Sequence, residues 1–173
     1  MERELEYERD TTVEKLYYPA YNLLLYTSFP ATEGYVVAPV TLLEHNNDSI
    51  DFTVGYVVEV NKGPVFFVEM KAPANLQFGS KREEADVQMR RHFIQLLQEC
   101  QFGELHGISV FGTKIAYYVG DKKTKAVAPL RGEFTNPPLD WWDNDILEMN
   151  GANKLRQVFA DIKRNCNLVK NAK

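Results

Sequence analysis

The chain has 173 residues, of which 45% are hydrophobic and 25% charged, enough for one domain with its own core and too balanced for a disordered or fibrous protein. A net charge of −4 and a pI near 5.5 argue against a strong non-specific nucleic-acid binder, since such domains usually exceed a pI of about 9. No apolar run reaches the roughly 20 residues of a membrane span.

Residues 1–10 read as an acidic tail and residues 11–173 as a single domain. The start, Met1-Glu2-Arg3-Glu4, lacks the apolar stretch of a signal peptide. The expected setting is therefore intracellular, cytoplasmic or nuclear, without a membrane partner. Thr11 and Glu14 have capping-box spacing. Val13, Leu16, Tyr17, Ala20, Tyr21 and Leu24 then recur at helical intervals, with Pro19 expected to kink or split the helix. Three strand-like runs follow, at Tyr35–Leu43, Ile50–Val60 and Val65–Lys71. The turn residues Asn61-Lys62-Gly63-Pro64 join the last two as an antiparallel hairpin.

Ser80 and Glu83 form a second capping box, opening a helix to about Cys100 with Ala85, Met89, Phe93 and Leu96 on its buried stripe. Ile108–Phe111 and Ile115–Val119 read as two further strands. A loop holding Trp141 and Trp142 precedes a final helix over about Gly151–Asn165. The fold class is α/β, a mixed central sheet flanked by helices in the order α-β-β-β-α-β-β-α. Cys100 and Cys166 lack zinc-site spacing and read as free thiols. Charge is uneven along the chain: residues 1–61 carry a net −8 and residues 62–125 a net +3, so an anion would be met by the middle third.

The third strand carries the informative residues. Alternation puts Glu69 and Lys71 on one face, and a core strand seldom buries an acid and a base unless they are paired or used. Asp51 lies on the polar face of the preceding strand, and hairpin geometry brings it toward the end of the third. Two carboxylates and a strand carbonyl are hard oxygen ligands suited to Mg²⁺ or Mn²⁺. A lysine beside them can hold a water or stabilise charge on a phosphoryl group. The following helix adds Gln88, with Arg91, His92 and Gln95 on the same side. Glycine-rich phosphate loops and nucleophile elbows are absent from the sequence.

Asp51, then Glu69-Met70-Lys71, then a helix with Gln88 resembles the signature of the PD-(D/E)XK nuclease superfamily, the restriction-endonuclease-like fold. The resemblance covers about residues 11–165, and the segments Val68–Lys71 and Ala85–Arg90 look like single-domain fungal members. It implies a Mg²⁺- or Mn²⁺-dependent nuclease hydrolysing phosphodiester bonds of DNA or RNA. Asp51 and Glu69 would be metal ligands, with Met70 lending its carbonyl; Lys71 would be the catalytic lysine and Gln88 its support. Glu14 would be an accessory acid, with Arg91 and His92 as further accessory residues. The chain departs from the pattern at Ile50, where a proline usually precedes the acid. The alternative is a catalytically inactive member of the same fold, a binding or effector module for nucleic acid or protein.

Overall fold

The computed structural model describes residues 14–46, 49–133 and 136–171, and within them all side chains except those of residues 41–54 and 169–171. The acidic tail and the Thr11 cap lie outside the described residues.

Glu14–Tyr17 forms a 3-10 turn, and helix α1 follows over Tyr18–Ser28. Pro19 sets the break. It has no N–H to donate and fits only a first helical turn, so the helical stretch divides just before it. Strands β1 (Tyr35–Asn46), β2 (Ser49–Val60) and β3 (Gly63–Lys71) form an antiparallel meander. Asn61 and Lys62 turn the second hairpin with φ of 53° and 64°, the left-handed pair that matches strand twist. Val58 pairs with Phe66 while Glu59 pairs with Pro64, so Val65 is an extra, bulged residue on β3.

Helix α2 (Gly79–Glu99) connects β3 to β4 (Glu104–Phe111), which lies parallel to it. A parallel pair cannot be joined by a tight turn, and the helix supplies the crossover. Strand β5 (Lys114–Asp121) returns antiparallel after Gly112, whose φ is 63°. Two-residue strands β6 (Val127–Ala128) and β7 (Asn144–Asp145) pair with opposite ends of β5, and helix α3 (Met149–Asn171) closes the described chain. The strand order is β1-β2-β3-β4-β5-β6, with β7 on β5. The molecule is a mixed α/β structure with an open, mostly antiparallel sheet flanked by helices. Among the described residues, no helix is long and apolar enough to cross a membrane.

Both sheet faces are covered, so β3 is buried along almost its whole length. Phe66 packs against Phe29 and Phe159, placing α1 and α3 on one face. Phe67 packs against Phe93 at 4.8 Å, placing α2 on the other. Ala85, Met89 and Phe93 are fully buried, as the helical stripe requires, but the stripe continues through Leu97 rather than the half-buried Leu96. The Ser80 cap is corrected. Helix α2 starts two residues earlier than a Ser80 cap requires, after the extended Phe78, and no side chain caps it. The Phe78 carbonyl accepts from the backbone N–H groups of Lys81 and Arg82, which opens the helix ahead of Ser80. Met89→Ala should cost about 2–5 kcal/mol in urea unfolding, the usual range for a large-to-small core change; no loss of stability would contradict this packing.

His106 lies in β4, largely out of solvent, and burial lowers its pKa from the ordinary 6.5. The folded chain thus favours the neutral imidazole, and the unfolded chain takes up the proton first. This part of the stability is complete above pH 6.5 and is lost as the pH falls through the lower folded value. Thermal melts from pH 8 to pH 5 should show a steeper acid loss for the wild type than for His106→Gln.

Candidate functional site

Glu69 is 1% exposed, near the C-terminal end of the central strand β3. Lys71 Nζ lies 3.5 Å from its Oε1. From α2, His92 Nδ1 lies 3.0 Å from its Oε2. Both nitrogens lie close to the carboxylate, but neither is aligned as a hydrogen-bond donor, and both oxygens are shut off from solvent. Burying a charge costs several kcal/mol unless it is paired and hydrogen-bonded. Glu69 is paired without being fully satisfied.

The sheet register fixes its neighbours. Gly55 of β2 stands opposite Glu69, and Ser109 of β4 stands beside it on the other side. Ser109 is fully buried, and its hydroxyl has no hydrogen-bond partner among the described residues. Gly55 has no room for a side chain, since a Cβ there would sit 2.2 Å from the Val68 carbonyl oxygen. Gln88 and His92, one helical turn apart on α2, are both 3% exposed. Arg91 and Gln95 point outward. A cavity of about 20 Å³ touches Glu69, His92, Gly55 and Leu96, room for a single water molecule.

Lys71, Gln88 and His92 come from the elements the sequence assigns them to, and Lys71 and His92 converge on Glu69. Asp51 does not stand opposite Glu69. It shares the face of Gly55 but lies four residues further along β2, about 13 Å at the rise of a strand, where it pairs with Glu44. Its side chain lies outside the described residues. Met70 and Lys71 extend past the last β2–β3 pair, Gly55 with Glu69, and are held by β4 through Val110 and Phe111. Glu14 is corrected as an accessory acid. It accepts the Tyr18 hydroxyl at 2.9 Å, and the Tyr18 carbonyl accepts from Tyr56. Tyr56 alternates with Gly55, so this contact sits over the sheet face opposite Glu69.

Behind the cluster lies a network absent from the sequence reading. Asp86, fully buried on α2, is 3.0 Å from Arg90 Nε and 3.8 Å from Arg131 Nε. It also accepts the Tyr118 hydroxyl at 3.1 Å. Arg90 donates onward to the Val127 and Pro129 carbonyls, pinning β6 and the residue after it to α2. Burial and the Asp86 carboxylate push the Tyr118 phenol far above its usual range. The i, i+4 spacing of Asp86 and Arg90 was the available signal; for Ser109 it was a lone hydroxyl in an apolar run.

A hard divalent cation suits the donor chemistry of Glu69, whose two oxygens lack aligned donors. Among the described residues, however, no three metal-ligating side chains converge. Further oxygens would have to come from the Met70 carbonyl or from water, since such ligands sit about 2.0–2.6 Å from the ion and Asp51 starts about 13 Å along β2. Comparison with known proteins adds no identity: no family model matches the chain, and no curated protein or solved structure matches it at a significant level.

Proposed function

We propose that the chain is a metal-dependent nuclease of the PD-(D/E)XK type, acting on phosphodiester bonds of DNA or RNA. The observation carrying this reading is the buried, incompletely satisfied Glu69 between Lys71 and His92 at the end of a central strand. The element order, with a helix before the meander and α2 crossing over to a parallel strand, supports the same superfamily. Glu69 and the Met70 carbonyl would hold Mg²⁺ or Mn²⁺, which when bound lowers the pKa of a water and polarises a phosphoryl oxygen, with Asp51 as an acid further along β2. Lys71, 3.5 Å from Glu69, would orient the attacking water or offset negative charge gathering on the phosphate. His92 holds the Glu69 carboxylate from the helix side. Gln88, one turn before it, would support the nucleophile or a phosphate oxygen.

A second reading, an inactive binding module on the same scaffold, is favoured by two observations. Gly55 rather than an acid faces Glu69, and the cavity there admits about one water. Cleavage of plasmid and single-stranded substrates with Mg²⁺, Mn²⁺ and EDTA separates the two. The nuclease reading expects metal-dependent, EDTA-sensitive products; intact substrates under every metal would leave the binding module.

A further inference from the structure

We propose that the cavity between the start of β4 and the C-terminal half of α3 is a second binding site, for a small molecule with an apolar body and a hydrogen-bond-donating head. The cavity measures about 310 Å³, within the range of small-ligand pockets, which begins near 300 Å³. It lies on the α3 face of the sheet: His106 pairs with Phe66, whose ring packs on α3. Glu69 occupies the other face, three register positions away. The inference is therefore independent of the nuclease reading.

The walls explain both the space and its preference. Val65, the bulged residue of β3, gives one apolar side, and Phe102, Ile162 and the Cys166 thiol give the rest. Leu168 stands at the rim, 65% exposed. Gly103 also lines the cavity, and a Cβ on it would meet nothing within 4 Å. Gly103 stands exposed at the mouth, and among the described residues no side chain fills the space in front of it. The polar end is the Glu104 carboxylate, half exposed at the cavity wall, with His106 beside it at 3.7 Å. Burial favours the neutral imidazole, so His106 does not offset the acid, and Asp161 is close enough to act on the same imidazole electrostatically. A ligand hydroxyl would gain an acceptor in Glu104, while the two acids disfavour an anionic head.

The test uses 2-naphthol as the probe and 2-naphthoate as its anionic counterpart, titrated into the full chain by calorimetry. We expect saturable one-to-one binding of naphthol and at least about tenfold weaker binding of naphthoate. Gly103→Leu, which fills the open space without a left-handed backbone to strain, should weaken naphthol by about tenfold or more. Glu104→Ala should weaken it several-fold and narrow the preference over naphthoate. Circular dichroism and melting curves verify that the variants fold; if Gly103→Leu does not, Gly103→Met takes its place. No saturation by naphthol up to about 1 mM, or binding that the cavity-filling variant leaves unchanged, overturns the proposal. So does equal affinity for naphthoate.

Discussion

Lys71→Ala is expected to lower single-turnover cleavage by about 10²-fold or more, the usual effect of removing a preorganised charge stabiliser, while the chain stays folded. The expectation follows from position. Lys71 is the outermost member of the Glu69 cluster, its side chain 13% exposed against 1% for Glu69. Circular dichroism and a melting curve verify that the variant folds. His92 still faces the other carboxylate oxygen at 3.0 Å, so Glu69 keeps one neighbour that can position it. Metal affinity, measured by calorimetry, should therefore change less than the rate. A variant that cleaves as fast as the wild type would move the chemistry away from the E-x-K segment. A variant that loses cleavage and metal binding equally would make Lys71 a structural partner of Glu69 rather than a participant in the reaction.

The largest loss of stability is expected at Asp86. Asp86→Ala should cost about 3–5 kcal/mol in urea unfolding, the range for removing one partner of a buried ion pair. Its removal strips the counter-charge from Arg90, which is 20% exposed and already committed to two backbone carbonyls. It also leaves the buried Tyr118 hydroxyl without its acceptor. Asp86→Asn keeps an acceptor for Tyr118 and should cost less. If alanine and asparagine cost the same, the loss comes from the missing charge and the acceptor kept for Tyr118 contributes nothing. The cluster on the same helix should report the damage as well, since Gln88 and His92 lie within two turns of Asp86.

Much of the frame can be read from the residues. The run Pro64–Val68 is apolar on both faces because helices cover both. The hairpin before it turns where Asn61 and Lys62 tolerate left-handed backbone. The helical stripe of Ala85, Met89 and Phe93 placed α2 against the sheet. Three features lay beyond such reading for physical reasons. Register depends on the bulge at Val65, which adds a residue to β3 without any residue type announcing it; alternation gave the face of Asp51 but not its distance along the strand. Strands of two residues, such as β6 and β7, show no periodicity at all. Gln88 and His92 belong to a polar pattern, yet they are buried because Glu69, Ser109 and the Asp86 network meet α2 with polar groups. That is a tertiary fact no local pattern contains. Glu69, Lys71 and His92 were legible as a set because two share a strand face and the third sits on the helix that must pack above it.

The two short strands on β5 bear on how this chain avoids its own kind. A long bare sheet margin invites another molecule to add a strand, the first step toward fibrils. Here β6 and β7 take the two ends of β5, leaving only Ala116–Tyr118 between them. That gap is about 10 Å at strand rise, and Trp141 stands against Tyr118 with Trp142 against Phe111 at 5.5 Å. A foreign strand would find too few contiguous backbone groups to anchor. The opposite margin, β1, contains Pro39, which has no N–H to offer a newcomer. Both rims of the sheet are thus poor templates for the addition of a second molecule's strand.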